Sequence, residues 1–178
     1  RARRREALAE AVTGRLEDPA LLRGAGRYVD DTHLPGMLHA AFVRSPHAHA
    51  AIRGIDKTAA LALASVEAVL ALEDLRHWLR NERLVVGLPS PGYKQERHRP
   101  ALAAGEAVHV GEPIAIVIAE DRYIAEDAAA LTAVDYDPLP VVSSARAALA
   151  DDAPKLYDTW PDNRIVRIPA SGPTSSDE

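Results

Sequence analysis

Apolar residues fall in two rhythms along this chain. Residues 37–44 (Met-Leu-His-Ala-Ala-Phe-Val-Arg) and 114–119 (Ile-Ala-Ile-Val-Ile-Ala) are short runs with apolar side chains at both odd and even positions. Such runs predict strands covered on both faces, with Phe42, Val43, Ile116 and Ile118 in the core. Over 122–131 the rhythm changes: Ile124, Ala128 and Leu131 recur at helical spacing, and Asp121 stands where an N-cap is needed. The same signals predict a helix over 57–64 capped by Asp56, a strand over 68–72, and a short helix capped by Asp74 that contains Leu75, Trp78 and Leu79. Residues 132–137 read as a strand stopped by Pro138 and Pro140. Ser143 or Ser144 then caps a short Ala-rich helix ending at Leu149.

Residues 1–13 carry Leu8 and Val12 one helical turn apart and predict a short amphipathic helix ended by Gly14. A short strand is expected at 27–29, and Leu34-Pro35-Gly36 predicts a turn. Pro46 cannot donate to a ladder, so the strand before it is expected to bend or change partner there. Residues 81–106 form a long irregular connection with Pro89, Pro91, Gly92, Pro100 and Gly105. After Asp151 the chain is expected to loosen, and 171–178 reads as a disordered tail. Two strand–helix–strand passages, 47–72 and 114–136, place the fold in the α+β (mixed α/β) class. Each is expected to return beside or near its starting strand.

Composition narrows the functional classes. The core must be built mainly from Ala, Leu, Val and Ile, because the apolar share is 47% while aromatic residues make up 4%. A formal charge of −5 does not favour nucleic acid as a partner. The chain has no cysteine, which excludes thiolate nucleophiles and Cys-ligated clusters within it and fits a reducing, cytoplasmic setting. No apolar stretch approaches the length of a membrane span. The Arg-rich start (Arg1, Arg3, Arg4, Arg5) lacks a following apolar segment, so it reads as a solvated basic arm, with docking to an acidic partner as the other use.

Candidate chemistry centres on residues 45–53. On a strand His47, His49 and Arg53 would share one side, and two imidazoles with Asp30, Asp31 or His33 could hold zinc or iron. A polar strand face explains the same pattern without a metal. Glu112, in Gly111-Glu112-Pro113, could act as an acid or base if desolvated, or serve as a turn residue. Arg23-Gly-Ala-Gly-Arg27 matches neither phosphate-loop nor dinucleotide spacing. Ser45 lacks a nucleophile-elbow context. Asp135-Tyr136-Asp137 could bind a cation, but two carboxylates one residue apart on a strand end read as solvated. No catalytic, cofactor-binding or metal residue is therefore assigned.

The ordered set of motifs is more specific than any one of them. Residues 14–31 and 34–50 (the latter Leu-Pro-Gly-Met-Leu-His-Ala-Ala-Phe-Val-Arg-Ser-Pro-His-Ala-His-Ala) are followed by Arg99-Pro-Ala-Leu-Ala103 and Val110-Gly-Glu-Pro113. Ala119-Glu-Asp-Arg-Tyr-Ile-Ala-Glu-Asp-Ala-Ala129 and Val134-Asp-Tyr-Asp-Pro-Leu-Pro-Val141 come next. Together they resemble the start of the large subunit of molybdenum hydroxylases, the xanthine dehydrogenase, aldehyde oxidase and aerobic carbon monoxide dehydrogenase relatives, and the carbon monoxide dehydrogenase-like branch most. The resemblance implies the aldehyde oxidase/xanthine dehydrogenase α/β hammerhead domain over 14–160, between an N-terminal arm (1–13) and a C-terminal tail (161–178). It implies a non-catalytic role beside a molybdopterin-binding large-subunit chain, with an iron–sulfur subunit and an FAD subunit as further partners. Molybdopterin, iron–sulfur clusters and FAD would belong to the assembly and none to this chain. Arg44, Ser45, His47, His49, Gly111 and Glu112 are the candidate partner-interface residues. The chain starts without Met, consistent with residues missing at its front, and the polar tail after Pro169 reads as the end of a separately encoded subunit more than as a cut through a domain. The alternatives are a free-standing hammerhead-fold binding or regulatory module without redox activity and a small metalloprotein using His47 and His49.

Overall fold

The computed structural model describes residues 15–84, 91–95 and 99–168, in two compact units, Arg1–Met37 and Leu38–Glu178. The helix expected over 1–13 and the tail over 171–178 lie outside the described residues. In the first unit a single helical turn, α1 (Asp18–Leu21), starts with Pro19 in its first positions. The Gly24 and Ala25 amides donate back to the Leu21 and Ala20 carbonyls at 3.1 and 2.8 Å. The Gly-rich segment therefore terminates a helix. The strand expected at 27–29 does not form. Val29–Asp31 is a 3-10 turn, because the Asp31 carboxylate accepts the Tyr28 amide at 2.8 Å and pulls the chain round. The Pro35-Gly36 turn is present: Gly36 has φ +73°, and the Met37 amide donates to the Leu34 carbonyl at 3.0 Å.

The second unit contains two three-stranded sheets. β1 (His39–Arg44), β2 (Ala50–Asp56), β3 (Val66–Ala71), β4 (Arg83–Leu84), β5 (Arg99–Pro100), β6 (Glu106–Ala107), β7 (Pro113–Ala119) and β8 (Ala133–Pro138) are the strands, with helices α2 (Thr58–Leu61), α3 (Leu72–Leu75), α4 (Arg122–Leu131) and α5 (Ala145–Ala148) between or after them. The first sheet has the order β1-β7-β3 and the second β6-β2-β8, while β4 and β5 form a small ladder. The ladders within these sheets are all antiparallel.

The crossovers differ from expectation. β2–α2–β3 and β7–α4–β8 each carry the chain from one sheet to the other instead of returning to the sheet they left. The link between β2 and β3, residues 57–65, is shorter than the dozen or so residues a parallel return requires. β8 instead pairs antiparallel with β2, Ile55 opposite Val134 and Asp56 opposite Ala133.

Register explains which side chains are inside. Val43–Ala115–Ala71 and Ala41–Val117–Val69 are cross-strand rows on one face of the first sheet. This face packs under α4 and α2, where Val43, Val69, Ala115 and Val117 meet Ala60 and Ala128 in the main core. The interleaved rows, Phe42–Ile116–Leu70 and Ala40–Ile118–Ala68, lie on the opposite face. Of the four residues expected in the core, Val43 is buried, but Phe42 is 44% exposed and Ile116 and Ile118 are only partly covered. β1 is not internal: among the described residues it lies at the side of the sheet, with β7 in the middle. A two-parity apolar run led to the expectation of cover on both faces; among the described residues helices cover one face.

Helix α4 begins as expected, with Asp121 Oδ1 accepting the Tyr123 amide at 2.8 Å and the Ile124 amide at 3.4 Å. Its buried residues are Ala125 and Ala128; Leu131 is exposed. Small side chains let the helix approach a sheet floored by Ala and Val. Ser144 is the cap of α5, its Oγ accepting the Ala147 amide at 3.1 Å. Asp56 accepts the Thr58 amide at 2.9 Å at the start of the short α2. Beyond Asp151 the chain is more ordered than expected through Ile168. Asn163 accepts the Leu156 amide at 2.8 Å and donates to the Pro154 carbonyl at 2.9 Å, and Tyr93 forms a bridge with Val166.

Asp74 sits inside α3 instead of before it. Its carboxylate accepts the Ala71 amide at 2.7 Å and pairs with Lys57. Trp78, placed in this helix by the sequence, lies beyond its end and is exposed. The Lys57 hydrogen bond holds the Asp74 carboxyl below the usual carboxylate range against the opposing effect of burial. A lowered folded value means stability that is complete above the unfolded Asp value of about 4 and is lost as pH falls through the folded one. Asp74→Ala is expected to cost about 1 kcal/mol in urea titrations at pH 7. The gap to wild type should close progressively in titrations below pH ~4. A gap independent of pH would refute this account.

Candidate functional site

The chain passes between the two sheets at two neighbouring corners. The first, residues 45–49, joins β1 to β2; the second, residues 108–112, joins β6 to β7. Their backbones are bonded to each other. The Ser45 amide donates to the Glu112 carbonyl at 2.9 Å and the Gly111 amide donates to the Ser45 carbonyl at 2.8 Å. Arg44 Nη1 donates to the Gly111 carbonyl at 2.8 Å. The six residues singled out from the sequence thus gather at one place, although they come from segments more than sixty residues apart.

Local sequence builds each corner. Pro46 ends the β1 ladder, and the Ser45 hydroxyl closes the bend, accepting the His47 amide and donating to the His47 carbonyl, each at 3.0 Å. In the second corner the Glu112 amide donates to the His109 carbonyl at 3.2 Å, and Gly111 has φ +82°, a conformation that favours glycine. Glu112 then turns inward. Its Oε2 accepts the Val108 amide at 2.5 Å, so the carboxylate clasps the loop that carries it. His109 Nδ1 lies 3.0 Å from Arg99 Nη1 and 3.5 Å from Glu112 Oε2.

The two histidines do not share a strand face, because regular pairing in β2 starts only at Ala50. His47 lies beside the Tyr136 ring, centroids 4.8 Å apart. Burial pushes the Tyr136 phenol up, with Ser45 acting in the other direction. His49 Nδ1 is 2.8 Å from the Pro140 carbonyl, which only accepts, so Nδ1 carries a proton. His49 Nε2 pairs with Glu106 Oε1. Both ring nitrogens of His49 are therefore engaged by protein groups, leaving no lone pair for a metal. Among the described residues no three His, Asp or Glu side chains converge as ligands, so the described residues do not fit a resident metal centre.

Ser45, His49 and Glu112 are buried, at 2%, 7% and 6% exposure. Arg44 is exposed, and His47 and Gly111 are partly so. Two cavities flank the corner and share Val108, Leu156 and Asn163 in their walls. One, about 320 Å³, reaches His49 and Pro140. The other, about 380 Å³, is lined by Arg83, Arg99, Glu106, Glu112, Tyr157 and Trp160. Burial pushes the Tyr157 phenol up, partly countered by Arg99. Glu106 and Asn163 were not singled out from the sequence; neither lies in a motif, and their roles come from partners 57 and up to 15 residues away. None of the described helices is long and apolar enough to cross a membrane.

This geometry assigns Glu112 to holding the corner. Glu112→Ala leaves the Val108 amide buried without its acceptor and is expected to cost about 1–3 kcal/mol, whereas Glu112→Gln keeps an acceptor and should cost clearly less. Gly111→Ala has room for the added Cβ but an unfavourable φ, and should cost about 1–2 kcal/mol. Equal losses for Glu112→Ala and Glu112→Gln in chemical denaturation would remove the clasp from the account.

Comparison with known proteins agrees with this architecture. The family model described as "Aldehyde oxidase and xanthine dehydrogenase, a/b hammerhead domain" matches residues 23–140. The carbon monoxide dehydrogenase large chain of Hydrogenophaga pseudoflava is 45% identical over 147 residues, covering 80% of this chain and 17% of the relative. The xanthine dehydrogenase molybdenum-binding subunit of Escherichia coli O157:H7 is 32% identical over 153 residues, covering 81% of this chain and 19% of the relative. The crystal structure of quinoline 2-oxidoreductase from Pseudomonas putida 86 superposes with a TM-score of 0.74 at 43% identity, covering 83% of this chain and 18% of that one. The chain thus spans less than a fifth of the length of these relatives. With the family match, the sequence identities and the superposition in agreement, the chain belongs to the aldehyde oxidase and xanthine dehydrogenase a/b hammerhead family.

Proposed function

We propose that this chain is a non-catalytic hammerhead part of a molybdopterin-dependent hydroxylase or dehydrogenase and acts as the structural partner of the molybdopterin-binding chain. The observation that carries the reading is the hammerhead match over 23–140 in a chain that corresponds to 17% of a carbon monoxide dehydrogenase large chain. Further support comes from the corner, whose donors and acceptors bond to groups of the chain itself and hold shape instead of presenting a reactive group.

In this role molybdopterin, bound elsewhere, would supply the redox chemistry of the assembled enzyme, with iron–sulfur clusters and FAD on further subunits. This chain's residues contribute position. Ser45, His49 and Glu112 fix the corner from inside, while Arg44, His47 and Gly111 are placed at or near its surface to meet a partner. A free-standing binding module would be expected to bury its apolar surface by itself. The half-exposed Phe42 and its row favour an assembled state instead.

Expression of the tagged chain together with its genomic neighbours tests the reading. Capture of a partner that contains molybdenum is the expected result. A chain that runs alone in gel filtration, with no molybdenum in any captured fraction, would refute it.

A further inference from the structure

The face of the first sheet turned away from α4 and α2 is built from the rows Phe42–Ile116–Leu70 and Ala40–Ile118–Ala68. All six side chains are apolar. Three strands supply them in register, so they form one contiguous surface. The central strand carries Ala115, Val117 and Ala119 on the face under the helices and Ile116 and Ile118 on the other. Apolar residues on both faces are characteristic of sheets covered on both sides, and among the described residues helices cover one side. We infer that this open face is a permanent seam in the assembled enzyme, occupied by the cofactor-binding remainder of a molybdenum-hydroxylase large chain. The inference rests on the function proposed above and adds which surface is used.

Three observations point to that occupant. Relatives at 45% and 32% identity extend far beyond the matched segment, which is 17% and 19% of their length. A large chain of that kind has ample surface for an interface of about 800 Å² on each side. The face also has the anatomy of a stable interface, an apolar centre with an arginine at its border. The Arg44 guanidinium lies 5.2 Å from the Phe42 ring centroid while it donates to the Gly111 carbonyl. Finally, this border joins the open face to the corner at residues 44–49 and 111–112, so a single partner can engage both without a gap.

The test uses the full chain co-expressed with the molybdenum-binding chain from its genomic neighbourhood. Phe42→Glu places a charge on the open face at a position already half exposed, and Tyr123→Glu places the same charge on the outer side of α4. The expected result is capture by wild type and Tyr123→Glu and at least about tenfold weaker capture by Phe42→Glu, with an unchanged thermal midpoint. Oxidative footprinting of wild type, which needs no substitution, should show Phe42 protected in the complex and labelled in the isolated chain. Undiminished capture by Phe42→Glu with Phe42 still labelled in the complex overturns the seam and leaves the proposed function standing. Failure of wild type to capture any molybdenum-containing chain overturns both. A homodimer of the isolated chain that protects Phe42 and is dissociated by Phe42→Glu overturns the assignment in favour of a second copy.

Discussion

Everything in the second unit depends on two chain crossings being held side by side. β1 leaves the first sheet at Ser45 and β7 enters it after Glu112, and the hydrogen bonds among Ser45, Gly111 and Glu112 continue the β1–β7 ladder into the turn. Together with the helices α2 and α4, that continuation links the two sheets. With it, residues on β2 and β8 are delivered to the edge of the main core, where Val134 packs against both hydrophobic clusters. Because the corner is buried, its polar groups must be satisfied. This accounts for the clasp of Glu112 on Val108 and for the placement of His49 between Glu106 and the Pro140 carbonyl.

The same constraint shapes the core. Two sheets linked so tightly leave little depth, and the space under α4 is filled by Ala60, Ala115, Ala128, Val43, Val69 and Val117. This is why a chain with few aromatic residues can still be well packed: the helix comes close because no large side chain holds it off. The larger apolar residues, Phe42, Ile116, Ile118 and Leu70, have no place on that side and lie on the other.

Local signals in the sequence were a good guide where they concerned local structure. The Pro35-Gly36 turn, the Asp121 cap and the end of the β1 ladder before Pro46 follow from side chains that act on backbone a few residues away. The motif order also gave the family, which no single strand or helix could have done. What the sequence did not reveal is long-range. Nothing in residues 47–72 says that β2 and β3 belong to different sheets, and the even spacing of His47 and His49 suggested a shared strand face that the Ser45 bend removes. Arg27-Tyr28-Val29 looked like a strand because Asp31, three residues on, was not counted as a competitor for the Tyr28 amide.

The first sheet departs from its sequence pattern in its core. An apolar residue at every position of 114–119 predicts burial on both sides, and the fold buries Ile114, Ala115, Val117 and Ala119 while leaving Ile116 and Ile118 partly open. The physical rule behind the expectation is that sequences with two apolar parities are used where both faces are dry. In the proposed assembly the partner would supply the cover that this face lacks among the described residues. The polar corner, by contrast, is held mainly by bonds within the chain, with the buried Tyr136 hydroxyl left without a hydrogen-bond partner among the described residues. Rigid polar geometry inside and apolar surface outside together describe an element whose shape is settled before it meets a partner, so the ordering cost of association falls mainly on the partner's side chains and on the few exposed ones here.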